Sequence, residues 1–358
     1  MASMQFCPEE LFDAFPEPAL IFRDGQAHYF NPAAARIFPL LKLDASLPEE
    51  LSALLDEAEG STVLLTRIAG IGWRVSIQAT SAGLLAIFRA AEDENTPLRT
   101  DRLSLQLRQQ TAGLAAALQR LFPGQALTAE KYEQYLSTAN QGLYRLMRLA
   151  DHLDFLERDR VMGFAPAPMD LAGLCREVAE SMEDLCRGSG YHFSYESDLI
   201  SLITEGDDIY LRRMLLALLS NAMKAAGKGG KFGMRFLRRG KRAIITVWDN
   251  GPGLETGNMS FLFGGEAAKL PSLDAGDGLG LGLAAVQRAA SLHGGTIMLE
   301  SRVDDGLRAV VSLPLRTPET GMTLRTPKTA YSSEHFSDLL VEFSDILPSK
   351  VYSPEETE

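Results

Sequence analysis

Three short stretches between residues 211 and 284 carry the groups best suited to holding a charged small molecule. In the apolar run LRRMLLALLSNAMKAA the helical pattern is broken at Asn221 and Lys224, three residues apart and so on one helix face. An amide oxygen is a hard, neutral ligand for a small divalent cation. A β-branched run from Ala243 to Trp248 stops at Asp249, where the chain enters Gly251-Pro252-Gly253. A carboxylate at a strand end beside glycines can accept a hydrogen bond deep in a pocket. Farther on, Gly278-Leu279-Gly280-Leu281-Gly282 precedes the apolar run LAAVQRAASL. Glycines ahead of a helix let backbone N–H groups approach a phosphate, and the helix N-terminus favours its negative charge.

A glycine-rich turn before a helix is, taken alone, commonly plain cap geometry. The order of the pieces is far more specific. With the aromatic pair Phe261 and Phe263 between the second and third stretches, they resemble the four boxes of the ATP-binding domain of two-component sensor histidine kinases, a domain shared with gyrase B and Hsp90. The resemblance covers about residues 165–315 and implies ATP and Mg²⁺ as ligands. It implies that Asn221 ligates Mg²⁺, that Lys224 contacts phosphate and that Asp249 accepts from the adenine amino group. Gly251, Gly253, Gly278, Gly280 and Gly282 would shape a lid, and Phe263 joins the nucleotide-binding set. The loop between Leu254 and Gly276 is long for a compact domain, which suits a lid.

The elements that must position these residues form an α+β chain in four parts: 1–92, 97–160, 165–316 and 317–358. In the first, Asp24-Gly25 between two β-rich segments signals a hairpin, and Asn31-Pro32 can start a helix through AAARIF. A strand, a DG turn, a second strand and an NPAA helix resemble the opening of PAS sensor domains. His28 and Trp73 are read as ordinary strand packing. In the second part, Leu103, Leu107, Leu114, Ala117 and Leu121 share one helix face before Pro123-Gly124. Tyr132, Leu136, Ala139, Leu143, Leu146, Ala150 and Leu153 share a face of a second helix that runs to about Arg158. A two-helix hairpin cannot bury both stripes alone, so pairing with a second copy into a four-helix bundle is expected. By the family resemblance this dimeric stalk would meet a response regulator or a partner kinase.

The third part is expected to be an α/β sandwich. Met169 to Glu196 reads as a helix after the linker FAPAPMD with Asp170 as N-cap, and SYESDLISLITEGD reads as strands behind the pocket. Arg238, Arg239, Lys241 and Arg242 read as a charged hairpin turn. GGTIMLES and RAVVSLPL read as a closing hairpin, and His293 as a turn or packing residue. In the acidic tail, Phe336, Leu339, Leu340, Phe343 and Leu347 make a short apolar stripe that either docks on its own domain or binds a partner.

Two departures from the family pattern bear on activity. The segment LSLQLRQQTAGLAAALQRL occupies the place of the family's His-Glu-Leu-Arg-Thr-Pro-Leu box. Aligning Leu107-Arg108 puts Leu105 at the acceptor position, Gln106 at the acid and Gln110 at the proline. Leucine has no nucleophilic atom and glutamine takes no proton near neutral pH, and the first helix contains no histidine. His152, in the second helix, reads as a solvated face. One turn before Asn221 stands Ala217, where related ATPases carry a group that orients or deprotonates the attacking atom. The expected activity is therefore ATP–Mg²⁺ binding without histidine autophosphorylation. An active kinase remains an alternative, as does a response-regulator phosphatase using Gln109 or Gln110.

At 358 residues and 46% hydrophobic content the chain can bury two or three ordinary cores. A net charge of -12 disfavours a broad nucleic-acid surface. The three cysteines, Cys7, Cys175 and Cys186, have neither metal spacing nor a disulfide pattern, which fits free thiols in the cytoplasm. No stretch offers about 18 consecutive apolar residues, so no membrane span is expected.

Overall fold

The computed structural model describes residues 13, 16–23, 26–38, 61–68, 71–80, 83–90, 100–121, 128–157, 164–253, 281–302, 306–317 and 337–353. The N-terminal part forms β1 (Ala19–Arg23), β2 (Gln26–Phe30), helix α1 (Pro32–Ile37), β3 (Ser61–Ile68), β4 (Ile71–Thr80) and β5 (Gly83–Ala90). The Asp24-Gly25 turn lies outside the described residues, but β1 and β2 on either side of it pair antiparallel. Asn31 is the joint between strands and helix. Its Oδ1 caps α1 through the Ala34 N–H at 2.9 Å and also accepts from Ala19 N–H at 3.0 Å, while its Nδ2 donates to the Glu17 carbonyl at 2.8 Å. Pro at the first helical position fits, because that N–H has no helical partner to lose.

Helices α2 (Thr100–Leu121) and α3 (Ala129–Glu157) follow and lie against each other, with Arg120 over the Tyr135 ring at 5.7 Å. The Pro123-Gly124 break between them lies outside the described residues. Beyond them come β6 (Ala167–Asp170), α4 (Leu171–Cys186), β7 (His192–Ser197), β8 (Ile203–Gly206), α5 (Asp208–Ala226), β9 (Lys231–Arg239) and β10 (Arg242–Asp249). The chain continues through α6 (Leu281–Leu292), β11 (Thr296–Arg302), β12 (Gly306–Pro314) and the short α7 (Asp338–Glu342), and a 3-10 turn spans Ser349–Tyr352.

The local structure departs from the sequence pattern around α4 and at the β9–β10 turn. The FAPAPMD stretch is not only a linker, since Ala167–Asp170 pairs antiparallel with β8. Asp170 stands at the N-cap of α4, as expected, and its Oδ1 accepts from Leu202 N–H at 2.8 Å, which also ties the start of the helix to the residue before β8. The helix also ends at Cys186 rather than near Glu196. Gly188 and Gly190 take positive φ there, and His192–Ser197 goes on as a strand. The charged turn between β9 and β10 is present, with Gly240 at φ 54, yet Arg242 is buried and bonds Ser312 through both Nε and Nη2.

Ten strands form one sheet in the order β2-β1-β5-β4-β3-β11-β12-β10-β9-β7, antiparallel except for the β7–β9 pair. The junction is β3 with β11, where Leu64 stands opposite Met298. The two-residue period of the strands explains how this sheet serves two cores. Val63 and Leu65 of β3, Ile245 and Val247 of β10, Ile297 and Leu299 of β11 and Val311 of β12 point into a core shared with α4, α5 and α6. Their alternates, Leu64, Ile244, Met298 and Val310, point into the core of the N-terminal strands with Phe22, Phe38 and Phe88. Cys175 and Cys186 are both buried as free thiols, and burial pushes the Cys186 thiol up to about 11. Cys7 lies outside the described residues.

Candidate nucleotide-binding site

Helix α5 is started by Asp207, whose Oδ1 accepts from the Ile209 and Tyr210 N–H groups at 3.2 and 3.3 Å, and it stops at Gly227 with φ 66. Between these ends the helix buries Met214, Leu215, Leu218, Leu219, Ala222 and Met223 in the core. Asn221 and Lys224 fall on its outer side and are exposed. A polar pair on an otherwise buried helix is thus delivered to a surface, as its spacing requires.

At the end of β10, Asp249 is only 5% exposed. Its Oδ1 accepts from Gly251 N–H at 2.9 Å and from Leu307 N–H at 3.3 Å. Burial pushes this carboxyl above the usual carboxylate range, and those two backbone donors offset part of the rise. Both bonds fall on Oδ1, so Oδ2 keeps its lone pairs for a donor on a ligand. Two close approaches explain the flanking glycines. A Cβ on Gly251 would lie 2.5 Å from the Ala225 carbonyl oxygen, so only glycine lets this turn sit against α5 one helical turn past Asn221. Gly306, at φ +84, would place a Cβ 1.9 Å from the Asp249 carbonyl oxygen.

Helix α6 begins at Leu281 and packs along α5. Gly282 lies in its first turn, where a Cβ would come 3.9 Å from His152 Cε1 of α3. The far end of α6 is fixed by His293. Its Nδ1 is 2.7 Å from the Ala289 carbonyl and its Nε2 accepts from the Asp207 N–H at 2.9 Å, an arrangement that requires a neutral ring with the proton on Nδ1. Burial holds its basicity below the ordinary histidine value. His293 is therefore a packing residue that fastens the end of α6 to the start of α5.

The structure thus brings Asn221, Lys224, Asp249 and Gly251 around the C-terminal half of α5, with Gly253 following at φ 66 and Gly282 on the neighbouring helix. Phe261, Phe263, Gly278 and Gly280 lie outside the described residues. These groups fit a nucleotide: a buried acceptor at a strand end, an amide and an ammonium on one face, and a helix N-terminus alongside. Among the described residues no three His, Cys, Asp or Glu side chains are grouped to hold a metal ion. A Mg²⁺ here would depend on the Asn221 amide together with ligand oxygens and water.

Next to this site lies a cavity of about 30 Å³ enclosed by α3, α5, α6 and α7. Ala217 and Ala285 are among its apolar lining, and Asp151, His152, Arg213, Asp338 and Glu342 supply its polar lining. Burial pushes the carboxyls of both Asp151 and Asp338 up, against the lowering charge of Arg213. His152 is not the solvated side chain expected from the helix pattern. It is half-buried, with Nε2 2.8 Å from Glu342 Oε2. The pattern missed it because the tail that covers it is 190 residues away in sequence.

Residues 206–317 match the family described as histidine kinase-, DNA gyrase B- and HSP90-like ATPase, which defines the class of this domain. The chain is 26% identical to the sensor protein kinase PmrB of Pseudomonas aeruginosa over 298 residues, 83% of this chain and 56% of that protein. It is 31% identical to the adaptive-response sensory kinase SasA of Parasynechococcus marenigrum over 155 residues, 42% of this chain and 40% of that one. A crystal structure of histidine kinase ThkA in complex with the response regulator TrrA is similar at 20% identity and a TM-score of 0.48, covering 88% of this chain and all of the ThkA chain. The chain spans about half the length of these curated relatives. Residues 206–317 thus form an ATPase domain of the histidine kinase, gyrase B and HSP90 type, and the curated relatives that the chain resembles are sensor kinases. Among the described residues no helix is long and apolar enough to cross a membrane.

Proposed function

We propose that this protein holds ATP–Mg²⁺ and uses its nucleotide state to control a partner, a response regulator or another kinase, without phosphorylating a histidine on its stalk. The observation that carries the reading is Leu105, a leucine at the acceptor position and 55% exposed on α2. It offers a partner surface but no nucleophile. The nucleotide would be read by Asp249, its metal by Asn221 and its phosphates by Lys224 and Gly282, with Gly251, Gly253, Phe263, Gly278 and Gly280 completing the pocket. ATP supplies the transferable phosphoryl group; the chain's own contribution is to bind and orient it. Ala217, buried one turn before Asn221, provides no group to activate an attacking atom.

Residues 97–160 act as a dimeric stalk in this reading. Leu105, Leu107, Leu118, Tyr132 and Leu143 are large apolar side chains exposed on α2 and α3, and a second copy would cover them. Residues 1–92 serve as a PAS-like input unit, a reading supported by the antiparallel β1–β2 pair and the Asn31-capped helix that follows it. A second reading has one observation in its favour. Gln109 is exposed on α2, with Gln110 half-buried beside it, so an amide is presented that could orient water toward a regulator's phosphoaspartate.

Incubating the chain with γ-labelled ATP and Mg²⁺, then denaturing it, is expected to leave no acid-labile label on the protein. Retained acid-labile label would restore the kinase reading. Faster decay of a phosphorylated response regulator in the presence of the chain, abolished by Gln110→Ala, would favour the phosphatase.

A further inference from the structure

The C-terminal segment 337–353 has little structure of its own, a five-residue helix and one 3-10 turn. Pieces this short are not stable alone in water, so their order comes from what they touch. On one side they touch a single face of α3. Gln141 Nε2 donates to the carbonyls of both Ser344 and Leu347 at 2.8 Å, and Asn140 Nδ2 donates to the Tyr352 carbonyl at 3.1 Å. Arg145 Nε is 3.1 Å from Asp345 Oδ1, and Arg148 Nη2 is 2.7 Å from Asp345 Oδ2. Arg148 also donates to the Glu342 carbonyl, and His152 meets the Glu342 carboxylate. Tyr144 stacks edge-on against Tyr352 with centroids 4.9 Å apart.

On its other side the segment enters the ATP-binding core through Val341, Phe343 and Leu347, all buried, and Ser220 of α5 donates to the Glu342 carbonyl at 3.4 Å. Ser220 is the residue before Asn221. Main-chain carbonyls read by side chains, basic groups facing acidic ones and an apolar anchor are the features of a recognised peptide.

We propose that this face of α3 is a peptide-docking surface and that residues 337–353 are its internal occupant, a clasp that pins the ATP-binding unit to the stalk. The charges are complementary: Arg145 and Arg148 both face Asp345, and His152 bonds the Glu342 carboxylate. While docked, the segment joins α3 to the turn of α5 that precedes the Mg²⁺ amide, so the two helices move as one body. The proposal rests on the reading of residues 97–160 as a stalk, but its test needs no nucleotide. Failure here therefore leaves the pocket assignment standing, and failure of nucleotide binding leaves the clasp standing.

The test is amide hydrogen exchange on the full chain bearing Asp345→Arg, which sets like charges against Arg145 and Arg148. Exchange across 338–353 is expected to rise about tenfold or more, the factor for losing one charge-assisted pair, while β9 to β12 stay protected. Adding Arg145→Asp and Arg148→Asp to that chain reverses the ion pair, without the arginine bonds to the Ser344 and Glu342 carbonyls, and is expected to bring part of the protection back. A fluorescent synthetic peptide of residues 337–353 is expected to bind the Asp345→Arg chain and not the wild type, whose face is already filled. Unchanged exchange at 338–353, a rise spread equally over β9 to β12, no recovery in the charge-swapped chain, or a peptide that binds both chains alike or neither would each overturn the proposal.

Discussion

Replacing Asp249 by asparagine is expected to weaken binding of an ATP analogue roughly ten- to hundredfold, the loss of one hydrogen bond to a charged group, while the chain stays folded. Asparagine keeps an oxygen that can accept from Gly251 and Leu307, so the strand end and its glycine turn are preserved. What changes is the outward atom, because an NH₂ in place of Oδ2 would set donor against the adenine amino donor. Burial raises the Asp249 carboxyl in the folded chain, so folding takes up a proton there; the associated stability is full at low pH and lost as pH rises through the raised value. At neutral pH the buried charge costs stability, and Asp249→Asn is expected to melt no lower than the wild type. Calorimetric titration and thermal melts on the two proteins check both halves. Equal affinity would remove Asp249 from the pocket, and a lower melting point would make its role structural.

The second large effect is expected at His293. Its ring bonds the Asp207 N–H and the Ala289 carbonyl, both in the interior. His293→Ala leaves the Asp207 N–H without its partner, about 1–3 kcal/mol, and opens a cavity besides. Together a loss of about 2–4 kcal/mol is expected. The sign with pH follows from its lowered basicity. Above the unfolded value near 6.5 the ring is neutral in both states and its contribution is complete; below that value the unfolded chain binds the proton first and stability falls. Urea melts between pH 7.5 and 5.5 are expected to show a loss on acidification in the wild type that is shallower in His293→Ala. Equal slopes would mean that the ring takes up protons alike in the folded and unfolded chains.

Much of the site could be read from the chain because its signals are local. Asp249 is a carboxylate at a strand end followed by glycines, and that is how it sits, held by the Gly251 N–H. Asn221 and Lys224 interrupt an apolar helix, and the structure puts both on its outer side. What could not be read are contacts between distant segments. The alternation in β3 says that Val63 and Leu65 share a face, but nothing in it names β11 as the neighbour that joins the N-terminal strands to the ATP-binding sheet. The tail's apolar stripe was visible, and Phe343 and Leu347 are buried. Its destination was not visible, because Gln141 and Arg148 recognise carbonyl groups, which every residue has. The same reason hid Tyr352, which closes the contact on Tyr144.

The central claim is that a triphosphate is held through a metal on the Asn221 amide, in a site whose other wall is Asp249. Titrating a non-hydrolysable ATP analogue into wild type and Asn221→Ala, each with Mg²⁺ and with the metal chelated, tests it most directly. The account predicts that Mg²⁺ tightens binding to the wild type by about tenfold or more and changes binding to Asn221→Ala little, since the protein's oxygen on the metal is then gone. The same Mg²⁺ dependence in both proteins, or no binding to the wild type, would contradict it.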